Sequence, residues 1–439
     1  MRPIVCVDTG STFTKAAAVD LDTGALIATA SHPTTAATDV LDGLDAAVAA
    51  LGVPPGEVLA CSSAGGGLRL AVCGYERAIT AEAGRRAGLS AGARIVHVSA
   101  GELDPVALAA SAPDLVLLTG GTDGGNAEVL LHNAAALARA RLGVPVVAAG
   151  NAAAADRVHA LLAAAGQPVI AAPNVLPRIG ILAPGPARAA IREAFLRHVI
   201  GGKNLSAGDR FARLVRGPTP DLVLTAVELL ADGHGEIPGL GDVVVVDVGG
   251  ATTDVYSVLR PDPEEAGLRR SAAGTMWRAR TVEGDLGVRW SAPGIVEAAR
   301  AEKLLDPAEE AALTDAAAER AADPGFVPAT APGLATDQRL AELAATIALR
   351  RHARDGGSRD LRPVRLVVAS GGAVRHAADP AGVLRPALAD HAGGWLLPEN
   401  ATAVADGRYV LAAAGLLATD HPAAAARLLS TSLVPGATR

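Results

Sequence analysis

IVCVDTGSTFTKAAAVD, residues 4–20, runs apolar to Asp8, breaks into Gly, Ser and Thr, and turns apolar again before Asp20. A turn alone needs only the glycine at such a break. It does not need Asp8, Ser11, Thr12, Thr14 and Lys15 crowded around it. Two readings fit: a tight hairpin and nothing more, or a hairpin whose tip grips phosphate. In the second, backbone N–H groups and hydroxyls form a concavity for anionic oxygens, while the carboxylate holds a divalent cation, usually through water.

The theme returns about 240 residues later. DVVVVDVGGATTDVYSVL, residues 242–259, is again strand, aspartate, Gly/Thr loop, strand. Two copies of one device point to two similar domains facing each other. Opposed hairpins can then clasp a polyphosphate and its metal between Asp8 and Asp247. A third element, VRLVVASGGAVRHAA at 364–378, is strand, loop, helix. The glycines of Ser370-Gly371-Gly372 let a flat purine or ribose approach the backbone closely.

Around these landmarks, residues 4–8, 15–20 and 25–29 read as an antiparallel meander with Asp22-Thr23-Gly24 at its second turn. A helix follows in DVLDGLDAAVAALGV and stops at Pro54-Pro55-Gly56. From about 93 to 173, ARIVHVS, PDLVLLTGG, VPVVAAGN and QPVIAAP alternate with Ala-rich helices, which predicts parallel βαβ units. A helix runs through IREAFLRHVIGG. Residues 300–340 read as a helical surface subdomain with AADPGFVPATAPG as a loop, and GRYVLAAAGLLA as a small-residue helix able to pack closely on a sheet.

Composition bounds the rest. At 439 residues more than one domain is expected. Aromatics are 2% within a hydrophobic fraction of 50%, so the cores must pack small aliphatic side chains. Net charge is −7 without a long basic run, which argues against nucleic acid as a partner. No stretch of about 20 residues is apolar enough for a membrane span, and no export signal is read at the start, so the cytoplasm is the expected address. Cys6, Cys61 and Cys73 are widely spaced and odd in number, as expected of packing residues in a reducing compartment.

The three loops, in this order, resemble the actin, sugar kinase and heat-shock chaperone ATPase superfamily. DTGSTFTK is similar to its first phosphate hairpin, DVGGATTD to its second and VVASGGAVRH to its adenosine loop; EGDLGVRW at 283–290 resembles the turn that follows the second hairpin. The resemblance implies an α/β fold of two actin-like (ribonuclease H-like) ATPase domains facing a nucleotide cleft, with an α/β insert in the first. ATP and magnesium would be the cofactors. Asp8 and Asp247 would organise the metal, with Asp254 near its outer shell as the third catalytic acid. Gly10, Ser11, Thr12, Gly249, Gly250, Thr252 and Thr253 would meet phosphates, and Ser370, Gly371 and Gly372 the nucleoside. Lys15 would be a charge partner for phosphate, though Lys15 and Asp254 read equally well as residues that cap their hairpins.

A closer resemblance lies in segments the superfamily does not explain. VLLTGGTDGGNAEVLLHNA, VPVVAAGN, PTPDLVLTAVELLADG and TVEGDLGVRWSAPGIVEAA look like the MutL/GlmL family, accessory proteins encoded with adenosylcobalamin-dependent mutases such as glutamate mutase. The resemblance implies an ATPase that reactivates or assembles such a mutase, the mutase being its protein partner. Domain I would cover 1–225, with the insert at about 93–173; domain II 226–400; and 401–439 would return as helices to domain I.

TGGTDGGN, with Asp123 and Asn126, reads either as a ligand loop at a strand's carboxyl end or as a solvated turn. Arg278, Arg280 and Arg289 are the nearest candidates for an arginine finger, none of them placed in advance. No P-loop is present, and Asp232-Gly233-His234 lacks the glycine that would make a cobalamin signature. Two alternatives stay open: a small-molecule (sugar or carboxylate) kinase, for which Glu102, Asp104 and Asp123 are the candidate bases, and an actin-like filament scaffold.

Overall fold

The computed structural model describes residues 1–54, 56–260, 273, 276–355 and 359–434. Pro55, expected at the stop of the first helix, and 435–439, at the end of the expected C-terminal stretch, lie outside the described residues.

The opening meander forms as β1 (Pro3–Thr9), β2 (Phe13–Asp20) and β3 (Leu26–Pro33), all antiparallel. Its second turn closes at Gly24, whose φ of 73° suits glycine. The helix Val40–Ala49 follows, capped by the Asp39 carboxylate on Leu41 N at 2.8 Å, and β4 (Glu57–Ser62) joins β1 in parallel. The chain then leaves this sheet for five parallel strands: β5 (Leu68–Gly74), β6 (Ala93–Ala100), β7 (Leu115–Leu118), β8 (Val146–Ala148) and β9 (Val169–Ala171). It returns through the helix Pro184–Ala194 to β10 (Val215–Pro218), which completes a sheet of order β10-β4-β1-β2-β3.

A short ribbon, β11 (Gly233–His234) with β12 (Ile237–Pro238), leads into the second large sheet. There β13 (Val243–Val248), β14 (Thr253–Val258) and β15 (Arg278–Glu283) repeat the antiparallel meander, and β16 (Leu366–Ser370) and β17 (Thr402–Ala405) add in parallel. The order is β15-β14-β13-β16-β17, the same arrangement as the first sheet. Each sheet thus sets a central strand with an aspartate one residue from its end, β1 or β13, beside the hairpin it opens.

The helices Thr219–Asp232 and Val410–Leu417 cross between the two sheets and share one core with Ile4, Cys6, Val245, Tyr256 and Val368. A Cβ at Gly415 would stand 2.0 Å from the Leu222 carbonyl oxygen, so the small residues of GRYVLAAAGLLA serve a close helix–helix crossing as well as packing on β1 and β4. Cys6, Cys61 and Cys73 are free and buried, and burial pushes Cys6 up to about 12 and Cys73 to about 11, away from reactive thiolate.

Two expectations need correction. The inserted sheet begins at Leu68 rather than near residue 93, because LRLAVCG is an interior strand of it, between β6 and β7. Buried almost throughout, that strand carries no polar alternation to announce it. Residues 300–340 are not a detached surface subdomain. The helix Ala331–Arg354 lies under the second sheet with Leu340, Ala344 and Ile347 fully buried, and Leu313 and Ala317 of the helix Pro307–Ala322 join the same core.

Candidate nucleotide cleft

The two hairpins close by the same bond. Gly10 N donates to Phe13 O at 3.2 Å, and Gly249 N donates to Thr252 O at 2.9 Å. A Cβ at Gly10 would lie 2.7 Å from Phe13 O, and one at Gly249 2.9 Å from Thr252 O, so both turns require glycine for the same steric reason. The tips abut: a Cβ on Gly250 would be 3.0 Å from Thr12 Oγ1. The 283–290 turn cradles the second tip, with Val288 N on Gly249 O at 3.0 Å and Arg289 N on Gly250 O at 2.9 Å. Between the sheets lies a cleft of about 590 Å³, within the size range of small-molecule sites.

Charge is distributed unevenly over this frame. Asp8, next to last in β1, has one oxygen 3.3 Å from Lys15 Nζ and the other accepting from Thr219 Oγ1 at 2.7 Å. Burial disfavours the Lys15 ammonium, but Asp8, Tyr409 and Asp247 outweigh it and hold the lysine charged. Asp247 is the next-to-last residue of β13, and its carboxylate has no hydrogen-bond partner among the described residues. Desolvation pushes it up to about 6, against Lys15 and with the help of Asp254, Asp8 and Asp406. Tyr409, at φ 55°, lies between two cations, with Lys15 Nζ 4.8 Å and Arg375 4.7 Å from its ring centre. Asp406 fixes that corner by accepting from Val410 N at 2.9 Å and Leu411 N at 3.2 Å.

Of the expected residues, Asp8, Gly10, Ser11, Thr12, Lys15, Asp247, Gly249, Gly250, Thr252, Asp254, Gly371 and Gly372 line the cleft. Thr253 and Ser370 do not: Thr253 is fully buried and donates to Leu286 O at 2.6 Å, and Ser370 is buried as the last residue of β16. Gly371 is glycine for a reason other than the one expected. At φ 109° its Cβ would stand 2.1 Å from Val248 O, so the constraint comes from β13 and not from a ligand.

Asp254 is committed to Arg280, whose Nε donates at 2.7 Å, and accepts from Thr252 Oγ1 at 3.0 Å. Two arginine-finger candidates are likewise held. Arg280 Nη1 also donates to Leu89 O at 3.2 Å and Ala93 O at 3.1 Å, and Arg289 pairs with Asp337 at 2.6 Å while donating to Phe326 O at 3.0 Å. Arg278 lies outside the cleft, paired with Asp232 at 2.7 Å.

Glu102, Asp104 and Asp123 are not part of the cleft lining. Asp104 caps the helix Pro105–Ala110. Asp123 belongs to the TGGTDGGN loop at the carboxyl end of β7, where it accepts from Asn174 Nδ2 at 2.8 Å and Ala152 N at 2.9 Å. The insert meets the cleft by its opposite end, through Leu68 and Arg94 at the starts of β5 and β6.

Sequence reading missed Thr219, Tyr409, Arg375 and the loop Pro324–Pro328, which forms a cleft wall with Pro324, Phe326 and Val327. PTPD and GRYV held the signal for Thr219 and Tyr409, polar groups at the starts of helices. The loop gave none, because its place depends on Arg289 reaching Phe326 O.

Among the described residues no group of three or more His, Cys, Asp or Glu is placed to hold a metal. A hard cation here would rely on one or two carboxylates, water and phosphate oxygens, which is how magnesium is usually held. The unpartnered Asp247 carboxylate beside Asp8 fits that donor set, and the glycine tips leave room for phosphate at the backbone.

Two sheets of one strand order, each offering an Asp–Gly hairpin to a common cleft, define a protein of two actin-like (ribonuclease H-like) ATPase domains with an α/β insert in the first. The family model described as MutL protein matches residues 4–433, and the chain belongs to that family. Protein MutL of Clostridium tetanomorphum is 35% identical over 460 residues, covering 99% of this chain and 100% of that protein.

Among solved structures, nucleotide-free acetone carboxylase aligns at TM-score 0.40 and 16% identity, over 95% of this chain and 70% of that one. The nucleotide-free diol dehydratase-reactivating factor aligns at 0.37 and 11%, over 96% and 100%. A ROK family glucokinase from Streptomyces griseus, with glucose and AMPPNP, aligns at 0.35 and 13%, over 94% and 97%. Among the described residues no helix is long and apolar enough to cross a membrane.

Proposed function

We propose that the chain binds and hydrolyses ATP with magnesium in this cleft, and that it uses the cycle in the cytoplasm to reactivate or assemble an adenosylcobalamin-dependent mutase. The observation that carries the nucleotide part is the pair of matching hairpins, with Asp8 and Asp247 on one cleft. Membership of the MutL protein family supports the accessory role. Asp8 and Asp247 orient the hydrated cation, and the Gly10–Thr12 and Gly249–Thr252 backbones bind phosphate oxygens. Lys15 neutralises charge between them, while Gly372, Ala373 and Arg375 lie on the nucleoside side.

A bound nucleotide touches both hairpins, so loss of the terminal phosphate changes which closure angle is favoured. If the two nucleotide states differ about 100-fold in partner affinity, the hairpins must supply about 2.7 kcal/mol. The kinase alternative loses its three named bases, all of which lie outside the cleft. The test is calorimetry with magnesium-ATP, followed by mutase recovery with and without ATP. One site per chain and ATP-dependent recovery are expected; equal recovery without ATP would remove the reactivation role.

A further inference from the structure

The insert is wedged against the cleft by its base, and that base carries a guanidinium that nothing else occupies. Arg94 is the second residue of β6. It is exposed and lines the cleft together with Gly92, Val282 and Asp254. It also lines a neighbouring groove of about 440 Å³ between the insert and the second domain, where its Nη2 would lie 3.9 Å from a Cβ on Gly284. Among the described residues its guanidinium has neither a hydrogen-bond nor an ion-pair partner.

The other arginines of the cleft are taken. Arg280 is spent on Asp254 and two carbonyls, Arg289 on Asp337 and Phe326 O, and Arg375 lies over the Tyr409 ring.

The backbone of Arg94 is nonetheless fixed with respect to the second hairpin. Arg280, which neutralises Asp254, donates to the carbonyl of Ala93, the residue directly before it. Gly92 at φ 79° packs so closely on the helix Thr219–Asp232 that a Cβ there would be 2.7 Å from Asp221 N. The β5 ladder holds Arg94 opposite Arg69. A flexible cation is thus mounted on a firm base in the wall of the cleft that the two hairpins share.

We infer that Arg94 is the arginine which meets the terminal phosphate of the nucleotide, so that the insert itself contributes a catalytic residue. This rests on the nucleotide reading above. Hydrolysis transfers the terminal phosphoryl group from the ADP oxygen to a water oxygen, and the water's proton leaves with the released phosphate. The charge that grows on the phosphoryl oxygens during transfer is what a guanidinium stabilises. Asp254 and Arg280 are positioning residues for it. Placing this group on the insert makes turnover sensitive to whatever grips the insert, which a residue on either hairpin would not do.

Arg94→Ala and Arg94→Lys test the assignment in the full chain, since an exposed side chain can be removed without opening a cavity. Three readings are compared with wild type: calorimetric affinity for magnesium-ADP, affinity for magnesium-ADP with aluminium fluoride, and phosphate release from ATP. For Arg94→Ala, ADP affinity should stay within about threefold, while aluminium fluoride binding and phosphate release fall about 100-fold or more. Lysine should restore only part of the loss, because a point charge cannot replace the planar fork.

Wild-type phosphate release and aluminium fluoride binding in Arg94→Ala would overturn the assignment and leave the nucleotide reading intact. An equal loss of ADP affinity would also overturn it, as it would mean ground-state binding. A wild type that binds no nucleotide would overturn both.

Discussion

Lys15 and Asp254 hold the same position in the two hairpins: Lys15 stands across the ladder from Asp8, and Asp254 stands across from Asp247. The backbones repeat and the charges do not. Asp8 therefore faces its own counter-ion at 3.3 Å, while the neighbour of Asp247 is an acid already bound to Arg280. Asp247 is the carboxylate left short of positive charge, and it is the one pushed up to about 6. A cation entering the cleft gains more at Asp247 than at Asp8.

Asp247→Asn should therefore cost more than Asp8→Asn. We expect magnesium-dependent phosphate release to fall about 100-fold in Asp247→Asn, and nucleotide affinity about tenfold, or ~1.4 kcal/mol. Asp8→Asn should lose less affinity, since it also frees Lys15 to meet phosphate. Steady-state phosphate release and calorimetry measure both. A double variant that hydrolyses ATP at the wild-type rate would remove the two carboxylates from the site.

The raised Asp247 pKa gives a pH signature. Its folded value of about 6 lies above the usual 3.8, so the ionised form that binds a cation is complete only above about pH 7. Magnesium-dependent nucleotide affinity should fall as pH drops through 6, by at most about tenfold per unit. Without ligand the sign reverses. The native state binds the extra proton between the two values, so this group's contribution to stability is lost as pH rises through 6. Calorimetry across this range should show a steeper affinity step in wild type than in Asp247→Asn, which keeps only the titration of the nucleotide's own phosphate.

Two adjacent glycines should respond differently to one methyl group. Gly371→Ala forces a Cβ onto Val248 O at 2.1 Å with φ at 109°, and should destabilise the second domain by on the order of 2–4 kcal/mol. Gly372→Ala meets nothing nearer than the Tyr409 hydroxyl at 3.8 Å and should change stability by less than about 0.5 kcal/mol. Denaturant midpoints for the two variants decide it, and equal shifts would contradict this steric account.

At the far end of the insert, Ile179 and Ile181 are 60% and 51% exposed on a turn whose Pro177 carbonyl accepts from Asp123 N at 3.1 Å. Exposed aliphatics beside a braced loop suit a protein partner. Replacing both with Asp should weaken mutase-stimulated phosphate release about tenfold or more, with magnesium-ATP affinity unchanged. Asp123→Ala and Asn126→Ala should act in the same direction, because Asp123 holds the loop through Asn174 and Ala152. Full stimulation in the Ile variants would move the docking face elsewhere.

The hairpins were readable because each packs its signal into a few consecutive residues: an apolar strand, an acid, a glycine whose Cβ has no room. The meander and the four later strands of the insert were readable from period and punctuation. β5 was not, being buried almost throughout and so lacking alternation. Thr253 and Ser370 looked like binding residues by type, but strand direction turns them inward. The Asp254–Arg280 clamp was beyond reach for another reason. Its partners lie on neighbouring strands, 26 residues apart, and its carbonyl acceptors lie about 190 residues away. Long-range pairing leaves no local mark in a sequence.

Were the insert to turn about the Arg280 tie to Ala93, its parallel sheet would act as a lever. Its fulcrum would be the 89–93 segment, which Arg280 ties to Asp254 of the second hairpin, and its arm β5, whose seven residues extend roughly 23 Å at ~3.3 Å each. A rotation of about 5° at the fulcrum then carries the Ile179 end through about 2 Å, as much as many interfaces move between states. The mechanical advantage also runs backwards. A partner pressing on the far end would then act through the whole sheet on the base where Arg94 is mounted.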